Sequence, residues 1–506
     1  MGQNGPSLGL WNCFFYDVGS SWLRSTSPVL VPLGDVAAWF RSNDRRASQP
    51  LLIDPDGHAD PRIDAFFASR RMTARAEATN RKYAQAIRVW LNFLLVRSVR
   101  WDQATAADAE AFKFWRRTDD RNPLRVQGST FGGDLAALCA LYDWTGHRFG
   151  VANPIDKHSV VRDGVAREVA DVRPDYVRRA DVKWLTPDAY QRWRDVGVLG
   201  LLPGGGERSR WRPRCEQRDL AFVEGLWGTG LRLQEWSSVV ALELPADDPS
   251  RGFYTCRMAD ACAKGGRGRR YWMPRRALTG ALHYMQTHRA AAVRRAQAAG
   301  VYDRLPGARV VVRVGLSGRL VLRDRDGREE TVPIGSLSPQ ARARLLVETE
   351  HGLEPAAVWL NEDGLPRAKR GWYRTFDDVN ARVARAGLGE LRCMPHMARH
   401  SFALRWYAVG RLVWEHKLDH LNAEEARDFR YQFGSVWDLV KTMLGHRDVR
   451  TTIDVYLEPF RSLDVEMLLE QAREESVAGL VTALVRGNPR VRTDPLAGDA
   501  TLGVAR

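Results

Sequence analysis

Four short segments carry the polar groups that a reaction at a phosphate ester would need. They are GTGLRLQE with Arg232, AKGGRG with Lys264, HMARHSF with His396, Arg399 and His400, and LGHRDVRTTIDVY with His446 and Tyr456. His396 and Arg399 stand three apart, so on a helix both project from one face and can reach one phosphate together. Arginine suits that task, because its planar fork donates paired hydrogen bonds to two oxygens and its charge does not vary with pH. Arg232, at the start of a separate predicted helix, can hold the same phosphate from the other side and share the charge of the transition state. Tyr456 is the candidate nucleophile: a phenol is weak at its usual pKa of about 10, but cationic neighbours favour its oxyanion.

A strand attacked in this way releases a 5′ oxygen that needs a proton. Arginine cannot supply one, whereas a lysine can once its surroundings lower its pKa. The chain has eight lysines, Lys82, Lys113, Lys157, Lys183, Lys264, Lys369, Lys417 and Lys441, among 76 basic residues. In a chain that writes Arg almost everywhere a positive charge will do, Lys264 on a glycine-rich turn is the candidate general acid.

The elements that must position these groups are legible in the periodicity. Tyr83, Ile87, Trp90, Leu91, Leu94 and Leu95 recur at helical steps after the possible caps Thr79 and Asn80. Further helices are expected over 106–116 and after Thr130, where Leu135, Leu138, Leu141 and Tyr142 share a face. Asn153-Pro154 then closes a small helical domain at 61–155. Residues 1–60 read as an N-terminal extension without a long helical period. Residues 156–183, charged and poor in large apolar groups, read as a basic linker. The second domain, 184–475, combines helices at 217–226, 370–386, 396–407 and 436–444 with strands at 252–254 and 269–273. Alternation in 309–332 predicts a β-insertion, bounded at about 275–350. Residues 476–506 form a C-terminal helix and tail. The fold class is therefore mainly α with a small β component, α+β.

Composition narrows the partner. The net charge of +15 and pI of 9.8 point to a polyanion, nucleic acid first. No stretch has the length of a spanning helix, and the start lacks a signal-peptide pattern, so a cytoplasmic protein without membrane contact is expected. The six cysteines lack Cys-x-x-Cys spacing and read as reduced thiols.

In their order and spacing, Arg232, Lys264, His396, Arg399, His446 and Tyr456 resemble the catalytic set of the tyrosine recombinases, the phage-integrase family. Glu235 falls in that family's Arg-x-x-Glu position, and Leu-Gly-His followed by Thr-Thr and by Tyr ten residues after the His is the most specific match. The helical unit at 61–155 resembles the family's core-binding domain, the SAM-like DNA-binding domain. The resemblance implies a clamp of two domains on duplex DNA attachment sites, a mixed α/β catalytic domain, and strand cleavage through a 3′-phosphotyrosine. It also implies strand exchange in a homotetramer for integration or excision of a bacterial mobile element, with a possible accessory directionality factor and with neither cofactor nor metal. Tyr456 would be the nucleophile, Arg232 and Arg399 the phosphate clamp, and Lys264 the general acid. His396 would act as acid/base, His446 as stabiliser, and Glu235 and His400 as supporting residues.

Two stretches depart from that pattern: the β-insertion, and the charged segment at 411–435 that lengthens the span from His400 to His446. Rival readings are a type IB topoisomerase-like enzyme, a non-catalytic DNA-binding protein, and a zinc hydrolase. His396 and His400 have the spacing of His-Glu-x-x-His, but position 397 is Met, so that motif's general base is missing. His416 and His420 read as a polar helix face, and Tyr407 and Tyr431 as core tyrosines. Val477, Leu480, Val481 and Leu484 share a helical face, which packs within the chain or docks on a neighbouring protomer.

Overall fold

The structure, a computed structural model, describes residues 9–16, 42, 45–162, 165–174, 183–207, 211, 214–315, 318–418, 424, 436–445, 491–492 and 494. The chain divides into two compact units, residues 1–179 and 180–506. Helices dominate both, with small sheets between them, so the fold is α+β. Among the described residues no helix is long and apolar enough to cross a membrane.

In the first unit, β1 (Asn12–Phe15) pairs antiparallel with β2 (Pro50–Ile53). Four longer helices follow, α1 (Pro61–Ala68), α2 (Glu77–Val96), α3 (Ala106–Arg117) and α4 (Gly128–Phe149), with a single helical turn at Arg70–Thr73 between the first two. The predicted stripe of α2 is its buried face, with Ile87, Trp90, Leu91 and Leu94 packed on Phe112, Leu138 and Leu141. The buried polar ends are matched: Trp90 Nε1 donates to Tyr142 at 2.9 Å, and the Tyr142 hydroxyl donates to the Trp101 carbonyl at 2.7 Å. Thr79 and Asn80 do not cap α2. It begins a turn earlier at Glu77, and Asn80 instead donates to the Met72 carbonyl.

Part of the N-terminal extension belongs to this unit, because Asn92 of α2 accepts from the Trp11 N–H and donates to its carbonyl. Where a linker is expected, β3 (Lys157–Arg162) pairs along its length with β4 (Val165–Ala170). The segment reads as a linker because it is charged and poor in large apolar groups, yet its main-chain groups satisfy one another in a two-stranded antiparallel ribbon.

The second unit opens with β5 (Trp184–Leu185), α5 (Pro187–Gly197), α6 (Glu216–Thr229) and the short α7 (Leu233–Ser237). The hairpin β6 (Phe253–Arg257) and β7 (Arg270–Pro274) carries the Lys264 turn. The chain continues as α8 (Arg275–Tyr284), a π-helical turn (Met285–Arg289) and α9 (Ala290–Ala298). The sheet of the insertion is therefore confined to 309–355, since the alanine-rich stretch before it packs as helix.

That sheet holds β8 (Arg309–Val314), β9 (Arg319–Arg323), β10 (Glu329–Pro333), β11 (Leu345–Thr349) and β12 (Gly352–Pro355) in the order β10-β9-β8-β11-β12. Only the β8–β11 pair is parallel. Buried Arg342 ties the sheet to the core, reaching Glu243 at 2.6 and 2.9 Å and the carbonyls of Leu337, Ser238 and Ile334.

Among the described residues three more long helices follow: α10 (Lys369–Arg385), α11 (Pro395–Leu418) and α12 (Val436–Leu444). The helix that starts at Pro395 thus runs into the segment read as extra at 411–435. In the tail, β13 (Val491–Arg492) pairs in parallel with β5 of the same chain. The helical face of Val477, Leu480, Val481 and Leu484 lies outside the described residues. The core is aromatic: Phe222 stacks on Trp372 at 3.4 Å, and Trp193, Trp236 and Trp359 are buried around them.

Candidate active site

The site begins where α6 ends. Gly230 terminates that helix in the left-handed region at φ 63°, and a Cβ there would lie 2.4 Å from the Phe402 ring of α11. Only glycine meets both conditions, and the tight turn sets Arg232 at the N-terminus of α7. Glu235, one turn on, accepts from the Arg232 main-chain N–H and from its Nη1, both at 2.9 Å. The other guanidinium N–H groups of Arg232 have no hydrogen-bond partner among the described residues.

Arg399, on α11, is 1% exposed and reaches the same turn. Its Nη1 donates to the Gly230 carbonyl at 2.5 Å, and its Nη2 to the Leu444 carbonyl at the end of α12 at 2.6 Å. This guanidinium therefore joins three elements that are distant in sequence. Its charge also acts on Glu235. Burial alone would raise that carboxyl, but hydrogen bonds from Arg269 and the charges of Arg269, Arg399 and Arg232 prevail, taking it from 4.5 to about 2.

His396 lies on the first turn of α11 and is exposed. Its pKa is lowered, first by desolvation and then by the charges of Arg399, Arg232, Lys369 and Lys264. The charge of the exposed Lys264 turn is thus felt at His396 together with those of both arginines. So is that of Lys369, a group the sequence reading passed over. Lys369 opens α10, which packs on α7, and the signal available for it was the scarcity of lysine in this chain.

His400 sits one turn behind His396, buried edge-on against Trp184 at 6.2 Å. Tyr407 is core, packed on Trp437 at 4.6 Å. The expected stabiliser His446 and the expected nucleophile Tyr456 lie outside the described residues, as do Tyr431 and His420. The last described residue before His446 is Gly445. Among the described residues no group of three or more His, Cys, Asp or Glu is placed to hold a metal ion.

Chemically, Arg232, Arg269 and Arg399 set three guanidinium charges around the Glu235 carboxylate, and His396 feels the charges of Arg399, Arg232, Lys369 and Lys264, so cationic groups that can favour an oxyanion gather beside a group able to hold a proton.

No family model matches the chain, and no curated protein matches it in sequence. Solved structures do match. A XerH site-specific recombinase bound to palindromic difH substrate is 11% identical, with a TM-score of 0.43, over 81% of this chain and 84% of that one. The Tn1549 transposon integrase in complex with circular intermediate DNA is 14% identical, with a TM-score of 0.40, over 78% and 99%. XerA recombinase is 13% identical, with a TM-score of 0.29, over 82% and 99%. These three solved structures are two recombinases and an integrase.

Proposed function

We propose that the protein is a tyrosine-type site-specific DNA recombinase that cleaves and rejoins duplex DNA through a 3′-phosphotyrosine. The observation that carries this reading is the convergence, around Glu235, of Arg232 from one helix start and Arg399 from another, beside His396 and within the field of Lys264. A phosphodiester needs that chemistry: donors for two non-bridging oxygens, a group able to hold a proton, and a lysine for the leaving oxygen.

In this reading Tyr456 attacks phosphorus, Lys264 protonates the departing 5′ oxygen, and Arg232 and Arg399 stabilise the charged transition state. His396 exchanges protons at the nucleophile, and His446 donates to a non-bridging oxygen. The phosphotyrosine stores the bond energy until a 5′ hydroxyl reverses the attack, so no nucleotide is consumed. The excess of basic residues binds DNA phosphates without specifying sequence, and binding weakens steeply as salt rises. Integration or excision of a bacterial mobile element, by a homotetramer on duplex attachment sites with an accessory directionality factor, is the biological setting we propose.

The deciding experiment is trapping on DNA nicked beside the scissile phosphate. Wild type should give a covalent adduct, and Tyr456→Phe should bind the DNA and give none. An undiminished adduct in that variant would reject Tyr456 as nucleophile. Relaxation of plasmids without recombination between two sites would favour the topoisomerase-like activity.

A further inference from the structure

Arg269 is absent from the set of residues that the motifs pick out, yet it touches two of the parts that such a site must hold in register. It ends the Lys264 turn, just before β7. Its Nη1 and Nη2 grip the two oxygens of Glu235 at 3.0 and 2.7 Å, in the paired geometry of a guanidinium on a carboxylate. Both groups are largely out of water, with side chains 13% and 1% exposed. The same two oxygens accept from the Arg232 main-chain N–H and from its Nη1. Glu235 therefore cannot turn without moving Arg232, and Arg269 is what keeps it from turning.

The other side of Arg269 meets the end of α12. Gly445 stands at φ 66°, and a Cβ built there would fall 1.8 Å from Arg269 Cδ and 2.3 Å from Nε. The main chain at Gly445 lies directly on the arginine stem. The carbonyl of the preceding Leu444 is held by Arg399. The peptide unit from which the chain departs toward residue 446 is thus enclosed by Arg399 on one side and Arg269 on the other.

We infer that Arg269 is a positioning residue of the phosphate site: through Glu235 it aims the Arg232 guanidinium, and through Gly445 it sets where the chain leaves α12. The role in catalysis rests on the proposed phosphoryl transfer, whereas the contact with Gly445 does not. An aimed donor matters because a misplacement of about 1 Å at a charged transition state costs about 100-fold in rate.

Arg269→Lys is the informative variant, since it keeps a positive charge beside Glu235, and with it the fold, but loses the fork. Single-turnover adduct formation should fall about 100-fold on an ordinary phosphodiester with DNA affinity unchanged. On DNA carrying a methylphosphonate at the scissile position, where one charged oxygen is gone, the deficit should shrink to about threefold, because less charge remains for Arg232 to stabilise. An equal loss on both substrates, or no loss on either, overturns the role. The contact is tested apart from activity by the denaturation of Gly445→Ala, Arg269→Ala and the double variant. Gly445→Ala should destabilise the wild-type background more than the Arg269→Ala background, and equal effects in the two would sink the contact. A wild type that forms no adduct would instead reject the recombinase reading, whatever the outcome of that cycle.

Discussion

The side-chain amide of Asn380 pairs with both main-chain groups of Cys393: its Oδ1 accepts from the Cys393 N–H at 3.0 Å, and its Nδ2 donates to the Cys393 carbonyl at 2.8 Å. The same Oδ1 accepts from Trp193 Nε1 at 2.9 Å. One residue of α10 thereby fixes the strand of chain that leads into α11, two residues before Pro395 and three before His396. Asn380→Leu leaves the buried Cys393 N–H and carbonyl and the Trp193 indole without partners. It should lower stability by about 3 kcal/mol, read by urea denaturation, and should slow adduct formation.

Glu235 gives the fold a pH dependence of known sign. Its folded pKa of about 2 lies below its ordinary 4.5, so the unfolded chain binds the proton more readily. Its contribution is fully present above 4.5 and is lost as pH falls toward 2, an interval worth about 3 kcal/mol. Acid unfolding should therefore shift toward neutral pH in Glu235→Gln, and the slope of stability against pH in that interval should flatten. An unchanged acid midpoint would contradict the burial of this carboxylate among three arginines.

For His396 the folded pKa is also below the ordinary value, here 6.5, but the consequence concerns charge. The neutral imidazole, ready to accept a proton, is therefore favoured to lower pH than in a free histidine. The acid limb of the rate of adduct formation should be centred below 6.5. His396→Gln should remove that acid limb. A limb centred above 6.5 would mean that a different group controls it.

Gly230→Ala tests the turn that carries Arg232. The added methyl meets the Phe402 ring and a left-handed backbone, so about 2 to 3 kcal/mol of stability should be lost. Because the Gly230 carbonyl is the acceptor for Arg399, cleavage should fall further than stability does, as seen by adduct yield at a temperature where the variant is still folded.

Lys264→Arg keeps the charge of the turn and loses the transferable proton. Cleavage of an ordinary phosphodiester should drop about 100-fold. A substrate whose 5′ bridging oxygen is replaced by sulfur departs as a thiolate without protonation, and should be cleaved by the variant nearly as fast as by wild type. Equal deficits on both substrates would remove Lys264 as general acid.

Much of the helical scaffold was legible from periodicity. The stripe from Ile87 to Leu94, the helix over 436–444 and the hairpin around Lys264 stand where the spacing of their residues put them. Two stretches are read differently, each for its own physical reason. The ribbon at Lys157–Ala170 buries little, so a charged stretch poor in large apolar groups resembles a basic linker. The insertion sheet begins later than expected because residues 290–298 are alanine-rich, a composition that marks no boundary until it is seen packed as a helix.

Sequence alone determined which chemistries the chain holds in reserve: arginine forks, a scarce lysine on a glycine turn, His and Arg three apart, and a basic excess suited to a polyanion. These follow from residue type and from spacing within a single element, which the local geometry of a helix or turn already dictates. Tertiary structure alone decided which of them meet. It buried Arg399 between the Gly230 and Leu444 carbonyls, placed Arg269 on Glu235, and set Lys369 within the field of His396. The partners in each of these pairings lie tens to hundreds of residues apart in the chain. Their meeting depends on how α6, α7, α10, α11 and α12 pack over an aromatic core, which no local spacing encodes.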